Sequence, residues 1–174
     1  MASALLCPGL IVICDSNVWI DLEHGGIRRK VFKAGLTFAV PDYLFSELEW
    51  PDGDMLVQLG LQVLELPPGG VRRVQQLQRQ YPKPGTADLF ALVSAEIEGA
   101  TLLTRDGDLR AAASAEGVRV GDTLDLVGYL VAQGALSPQQ AIDALHEMQA
   151  AGRGLPIART RQLIRRLERI GGIP

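Results

Sequence analysis

The stretch GTADLFALVSAEIEGATLLTRDGDLR, residues 85–110, contains both kinds of element that decide the fold. Its first half spaces apolar residues at helical intervals and ends at Gly99, as helices commonly do. Its second half begins with the apolar run ATLLT (100–104) and closes on two aspartates, Asp106 and Asp108. A helix followed by a short buried strand is the repeating unit of an α/β protein with a parallel sheet.

Four further apolar runs lie outside this stretch, and helical patterns separate them. They are LIVIC (10–14), LTFAV (36–40), LQVLEL (61–66) and GVRV (117–120). Continuous apolar runs without in/out alternation are typical of strands that are buried on both faces. The sequence therefore predicts an α/β fold with a parallel sheet of about five strands and helices on both faces.

Three more helical patterns follow the last predicted strand. They are TLDLVGYLVAQG, SPQQAIDALHEMQAAG and IARTRQLIRRLERIG, the second with Ser137 as its N-cap and Pro138 at its first helical position. We therefore expect residues 1–121 to form the main domain and residues 122–174 to form a helical C-terminal extension packed on it.

Composition and charge are those of an ordinary globular domain. The 174 residues are 47% hydrophobic and 21% charged, without any apolar run of the roughly 20 residues that a membrane helix needs. The apolar N-terminus lacks a basic leader and resembles a buried strand more than a signal peptide, so we expect a cytoplasmic protein without a membrane partner. The net charge is −3, but the tail from Arg153 onward carries six arginines and one glutamate. An acidic body with a basic C-terminal helix is the result.

Five acids are candidate site residues: four lie near predicted strand ends or helix starts, and Glu47 lies midway along the helical pattern PDYLFSELEW (41–50). They are Asp15, Glu47, Asp88, Asp106 and Asp108. Each has a structural explanation, such as a helix cap, a dipole partner or an exposed charge. Ligands of open parallel sheets nevertheless bind outside the carboxyl ends of the strands, and converging carboxylates would repel one another unless a cation lay among them. An all-oxygen site of this kind suits Mg²⁺ or Mn²⁺.

The absence of other catalytic motifs narrows the chemistry. Neither histidine, His24 nor His146, lies in a nucleophile motif or a metal-binding pair, and the sequence has no P-loop, nucleophile elbow or dinucleotide fingerprint. Without a protein nucleophile, an activated water is the natural attacker. Metal-assisted hydrolysis of a phosphodiester is the reaction that such a site suits best.

Three motifs resemble those of PIN-domain proteins, a family of metal-dependent ribonucleases that includes VapC-like toxins. They are VICDSNVWIDL (12–22), VPDYLFSEL (40–48) and the opening stretch at 85–110. The resemblance covers residues 10 to about 121, and the later helices are similar to the C-terminal extension of a PIN subgroup. Simple VapC-like toxins usually end soon after the last strand, so the extension is a departure from that pattern.

The resemblance implies roles for individual residues. It assigns the catalytic acidic quartet to Asp15, Glu47, Asp88 and Asp106, and metal ligation to Asp15, Asp88, Asp106 and Asp108. Three polar residues would hold a ligand or a water in place: Ser16, Asn17 and Thr104. Glu49 competes with Glu47, but two residues along a helix point about 200° apart, so we expect only Glu47 to face the site. Asp108 is also a candidate cap for the helix that follows it.

The function implied is a Mg²⁺- or Mn²⁺-dependent ribonuclease, with a toxin of a toxin–antitoxin module as one form of it. The alternative is a non-catalytic PIN-like module that binds protein or RNA. RNA contacts are expected at Arg105, Arg110, Arg165 and Arg166, although a docked helix with a solvated basic face is the preferred explanation of the last two. An antitoxin protein and a second copy of the chain, in a homodimer, are the partners that the resemblance implies.

Overall fold

The strands form one parallel sheet, as the apolar runs predict. A computed structural model describes residues 5–172, so the first four residues of the N-terminal segment discussed above lie outside it. The strands are β1 (Ile11–Cys14), β2 (Thr37–Pro41), β3 (Gln62–Leu64), β4 (Thr101–Leu103) and β5 (Arg119–Gly121). Their order is β3-β2-β1-β4-β5, and every neighbouring pair is parallel. The predicted five-stranded α/β fold is confirmed.

The central strands are buried on both faces. Residues 12–14 of β1, 38–41 of β2 and 101–103 of β4 are all buried. Since successive strand residues point to opposite faces, unbroken burial means that helices cover both sides of the sheet. The edge strands β3 and β5 are short and more exposed.

Ten helices belong to the part of the chain that the structure describes. They are α1 (Ser16–His24), α2 (Arg28–Val31), α3 (Asp42–Glu47), α4 (Gly53–Leu59), α5 (Pro68–Gln80), α6 (Thr86–Glu98), α7 (Gly107–Ala115), α8 (Thr123–Ala132), α9 (Pro138–Ala150) and α10 (Ile157–Gly171). The sequence pattern missed α2 and α4, because one or two turns are too short to show a helical period.

Helix α3 is shorter than predicted. It ends at Glu47, because Leu48 has an extended backbone with φ −80° and ψ 95°. Pro51 adds to this, since a proline disfavours helical backbone at the residue before it, here Trp50. The expectation that Glu47 lies in the middle of a helix was wrong. Glu49 therefore lies beyond the helix, and the argument that helical rotation separates it from Glu47 does not apply.

The strand order places a topological switch point between β1 and β4. The chain runs outward from β1 through β2 to β3, and then returns to build β4 and β5 on the other side. Cys14 pairs with Leu103, and the Asp15 N–H donates to the Leu103 carbonyl over 3.0 Å. Asp15 and Thr104 thus leave the sheet side by side at its carboxyl edge, where ligands of such folds bind.

The C-terminal helices pack on α1. Helix α8 contacts α1, α9 and α10, and α9 contacts both α1 and α10. At Gly25, just after α1, an added Cβ would lie 2.5 Å from Met148 Cε and 3.3 Å from the Ala144 Cβ, so α1 and α9 approach closely. Ser137 caps α9 as predicted, its Oγ accepting from the Gln140 N–H. Across residues 5–172, no helix is long and apolar enough to cross a membrane.

Candidate active site

Asp15 lies at the centre of the carboxyl edge of the sheet. It is 1% exposed and caps α1, with its Oδ1 accepting from the Val18 N–H over 2.9 Å. Its Oδ2 accepts from the buried hydroxyl of Thr104 over 2.5 Å. Both carboxylate oxygens are therefore held in fixed positions. The sequence raised capping and function as competing explanations for this residue, and the cap is now observed.

Thr104 joins Asp15 to Asp106. The same Oγ1 that donates to Asp15 accepts from the Asp106 N–H over 3.0 Å. Asp106 is the N-cap of α7, and its Oδ1 accepts from the Leu109 N–H over 2.7 Å. One buried hydroxyl thus couples the ends of β1 and β4.

Asp108 does not cap α7, so that expectation was wrong. It lies in the first helical turn, is about half exposed, and its Oδ1 is 3.3 Å from Lys83 Nζ. Asp106 occupies the cap position because its backbone is extended, with φ −68° and ψ 120°, as an N-cap requires.

Asp88 and Glu47 approach the same edge from two helices. Asp88 is the third residue of α6, and its Oδ2 accepts from the Gly85 N–H over 3.0 Å. Glu47 is an exposed residue at the end of α3. Helices α3 and α6 are joined by stacking of Tyr43 on Phe90, with ring centroids 4.6 Å apart and planes at 16°. This stack lies on the elements that carry the two acids.

The pKa values of Asp15 and Asp88 are both raised. The pKa of Asp15 is raised to about 6, mainly by burial, with the charges of Asp88 and Asp21 adding to the rise and the hydrogen bonds from Thr104 and Val18 opposing it. The pKa of Asp88 is also raised, first by burial and then by the charges of Asp106 and Glu47, against the hydrogen bond from Gly85. The four predicted acids therefore share one electrostatic environment.

Asp21 is a buried acid that two arginines neutralise. Asp21 is fully buried in α1, yet its Oδ1 is 2.8 Å from Arg153 Nε and its Oδ2 is 2.7 Å from Arg105 Nε. The Thr123 hydroxyl also donates to Oδ2 over 2.6 Å. No ion pair within residues 5–172 involves Asp15, Glu47, Asp88 or Asp106. The acids at the sheet edge are left without a cation, while a neighbouring acid has two.

The predicted RNA-contacting arginines fall into two groups. Arg105 turns away from the adjacent Asp106 and pairs with Asp21. Arg110 donates through Nη1 to the carbonyl oxygens of Thr104, over 3.0 Å, and Gly121, over 2.9 Å, which ties together the chain just after β4 and the end of β5. Both guanidinium groups therefore have structural partners. Arg165 and Arg166 are exposed on α10, far along the chain from the acids.

Sequence reasoning missed Asp21 and Arg153. Asp21 is an acid between the apolar residues Ile20 and Leu22, which marks it as an inward-facing charge in need of a partner. Arg153 sits between Gly152 and Gly154, whose φ angles are +71° and +53°. The pattern Gly-Arg-Gly was the available signal for a tight turn that presents one side chain.

The remaining predicted residues lie at the start of α1. Ser16 is its first residue and is partly buried. Asn17 is exposed, and its Oδ1 accepts from Arg153 Nη2 over 3.2 Å. Asn17 therefore stands between the acidic edge and the C-terminal extension.

The carboxylate oxygens of these acids are ligands that a hard divalent ion prefers, but they are not close enough together to coordinate one directly. In the described part of the chain, no three His, Cys, Asp or Glu side chains lie close enough together to hold a metal ion directly. Asp88 and Asp106 each have one oxygen that accepts from a backbone N–H and one that accepts from no described residue. Mg²⁺ keeps several waters and often takes only one or two protein carboxylates, so the residues present fit a hydrated ion.

A family model described as PIN domain matches residues 12–115, more than half of the chain. The chain belongs to the PIN-domain family. The resemblance drawn from the sequence motifs is thereby confirmed. PIN domains are generally nucleases, and they generally use divalent metal ions.

Solved structures share the fold of this PIN domain at low sequence identity. A PilT N-terminus domain protein, SSO1118 from Sulfolobus solfataricus P2, is 15% identical with a TM-score of 0.52, covering 71% of this chain and 93% of that one. PAE2754 from Pyrobaculum aerophilum is 17% identical with a TM-score of 0.52, covering 73% and 91%. At these identities the likeness shows the fold alone. No curated protein matches the sequence.

Proposed function

We propose that this PIN domain is a metal-dependent ribonuclease that hydrolyses RNA phosphodiester bonds with Mg²⁺ or Mn²⁺. The catalytic carboxylates are Asp15, Glu47, Asp88 and Asp106, and Asp108 is at most an auxiliary ligand because it is paired with Lys83. One observation carries the proposal: the four acids lack a paired cation and the pKa values of Asp15 and Asp88 are raised, whereas Asp21 nearby has two paired arginines.

Leaving these four acids without a paired cation lowers the stability of the fold. Binding of a cationic ligand would offset that loss. Arg105 is adjacent to Asp106 in sequence and could have relieved the repulsion, but it is directed to Asp21. Burial without a paired cation keeps the Asp15 pKa near 6, far above its ordinary value of 3.8, even though Thr104 and Val18 donate hydrogen bonds to it. A divalent cation would favour the ionised form of all four acids. This pattern is typical of an acidic site that gains its counter-charge from a metal and a substrate.

The residues would divide the work by their positions. Asp15 is the rigid anchor, since Thr104 and Val18 fix both of its oxygens. Asp88 has a raised pKa and one oxygen that accepts from no described residue, which suits it to accept the proton of the attacking water. Asp106, which caps α7, would hold the divalent ion through its second oxygen, which accepts from no described residue. A bound divalent ion supplies a lowered water pKa and charge stabilisation at the phosphorus.

The substrate is RNA that approaches the acidic edge, and we propose Arg165 and Arg166, both exposed on α10, as basic contacts for it. Arg105 and Arg110 are not part of this proposal, because their guanidinium groups are engaged inside the protein. The resemblance to VapC-like toxins adds two partners to the proposal, a second copy of the chain and an antitoxin. An antitoxin segment that inserted arginine or lysine among the carboxylates would neutralise them and exclude the metal.

The direct test is cleavage of single-stranded RNA by the purified full-length chain with Mn²⁺, followed by addition of a chelator. We expect cleavage that stops on chelation and falls at least about 100-fold in Asp15→Asn and Asp106→Asn. Asp143→Asn is the matched control, because it removes an exposed carboxylate on α9, a helix that carries none of the four acids. Wild-type rates in both site variants would refute the assignment.

One observation favours a second function, that of a non-catalytic PIN-like binding module. Within residues 5–172 the acids do not converge closely enough for three of them to ligate one ion directly. Calorimetric titration with Mn²⁺ separates the two proposals. A nuclease should bind the ion in a manner that depends on Asp15 and Asp106, whereas a binding module should take up none.

A further inference from the structure

The side chain of Arg153 connects the C-terminal extension to the candidate active site. Arg153 lies in the loop between α9 and α10, beyond the residues that the PIN model matches. Its Nε is 2.8 Å from Asp21 Oδ1, and its Nη2 donates to Asn17 Oδ1 over 3.2 Å. The carbonyl oxygen of Arg153 accepts from Arg105 Nη1. The loop is therefore fastened both to α1 and to the turn that follows Thr104.

These contacts hold residues that neighbour Asp15 and Asp106 in the chain, without touching either acid. Asn17 is two residues after Asp15, in the first turn of the helix that Asp15 caps. Arg105 lies between Thr104 and Asp106, both of which shape the site. The extension thus holds the two chain segments that follow β1 and β4. The left-handed Gly152 and Gly154 form the turn that aims Arg153 inward, where its side chain is only 19% exposed.

The contact with Arg153 fixes the orientation of the Asn17 amide. A guanidinium group carries donors only, so it must face the amide oxygen of Asn17 and not its nitrogen. The Nδ2 group, with two N–H donors, then points elsewhere from an exposed position beside Asp15. Donors at the N-terminus of a helix suit an anionic oxygen, and the helix dipole adds to the attraction.

We propose that Arg153 is a positioning residue for the ribonuclease reaction, which orients Asn17 so that its amide N–H groups donate to a non-bridging phosphate oxygen of the RNA. The inference rests on the proposed function and extends it, since it makes the C-terminal extension part of the active unit. Arg153 acts through Asn17, and Asn17 is the residue that contacts the substrate.

The variant Arg153→Lys separates this role from folding. A lysine keeps a positive charge beside the buried Asp21 but has a single ammonium group, so it cannot hold Asp21 and Asn17 in the same fork. Removing the charge altogether would leave Asp21 with one arginine fewer and risk unfolding. We expect Arg153→Lys to melt close to the wild type and to lower kcat/KM about 10-fold to 100-fold, as a lost hydrogen bond to a charged group predicts.

A double-mutant cycle tests whether Arg153 works through Asn17. We expect Asn17→Ala to lose as much kcat/KM as Arg153→Lys, and the double variant to lose no more than either. Arg159→Lys is the matched control, because Arg159 belongs to the same extension and forks between Asp122 and Asp125, away from Asn17. Losses that add up in the double variant, or an equal loss in Arg159→Lys, would overturn the proposal.

A second readout keeps the inference distinct from the ribonuclease proposal. The side-chain amide signals of Asn17 in a ¹⁵N-correlated NMR spectrum should move in Arg153→Lys and stay unchanged in Arg159→Lys. RNA added to the catalytically silenced Asp15→Asn protein should shift the same signals. If the wild type does not cleave RNA, the proposed function fails. If the Asn17 signals shift neither in Arg153→Lys nor on addition of RNA, the positioning role is refuted whether or not cleavage occurs.

Discussion

Replacing Asp15 with asparagine should stabilise the protein while removing its activity. The pKa of Asp15 is about 6 in the folded chain against an ordinary value of 3.8, so the folded state binds more protons than the unfolded state between these values. Stability is therefore lost as the pH rises through that window. Because the two pKa values differ by about 2, ionised Asp15 lowers the free energy of unfolding by about 3 kcal/mol at neutral pH and above.

Asparagine cannot ionise, so it removes this loss of stability, and it keeps the local geometry. It is an equally good N-cap for the Val18 N–H, and its amide can still share a hydrogen bond with the Thr104 hydroxyl. We expect Asp15→Asn to raise the free energy of unfolding by up to about 3 kcal/mol at pH 7.5 without metal, and to change it little near pH 4. Mn²⁺ should then stabilise the wild type more than the variant.

The assay is urea unfolding of both proteins with a chelator at pH 4, 5, 6 and 7.5. Asp21→Asn is the matched control, since it is equally buried in the same segment but is neutralised by two arginines. Removing one charge from that network should destabilise the protein by about 3–5 kcal/mol. If Asp15→Asn is no more stable than the wild type at pH 7.5, the reasoning about an uncompensated carboxylate is refuted.

Three further substitutions test the site and its support. Thr104→Val removes a hydrogen bond that lowers the pKa of Asp15, so the acid limb of the pH–rate profile for RNA cleavage should move to higher pH; an unmoved limb would contradict this. Glu47→Gln should lower the cleavage rate at least about 10-fold while Glu49→Gln leaves it unchanged, because Glu47 is one of the charges that raise the pKa of Asp88 and Glu49 is not. Gly25→Ala should lower the free energy of unfolding by about 1 kcal/mol, since its Cβ would lie 3.3 Å from both the Cβ and the carbonyl oxygen of Ala144 and would displace the end of the Met148 side chain; thermal melting measures the loss.

Local patterns predicted the strands and most helices because burial leaves a direct mark on sequence. The runs LIVIC and ATLLT are mostly apolar because both are central strands that helices cover on both faces. The pattern failed at α3, where a nearby proline and an extended Leu48 ended the helix at Glu47. It failed again at the α7 cap, because Asp106 and Asp108 are chemically alike and only backbone geometry separates them.

The sequence by itself determined the α/β class and marked Asp15, Glu47, Asp88 and Asp106 as candidates. It could do so because continuous apolar runs, and acids near strand ends or within helical patterns, are local features of the chain. Only the tertiary structure decided which charges are neutralised, since ion pairs join residues as distant in sequence as Asp21 and Arg153. Charge compensation depends on distances in space, and it is this property that distinguishes the buried, paired Asp21 from the acids left open for a ligand.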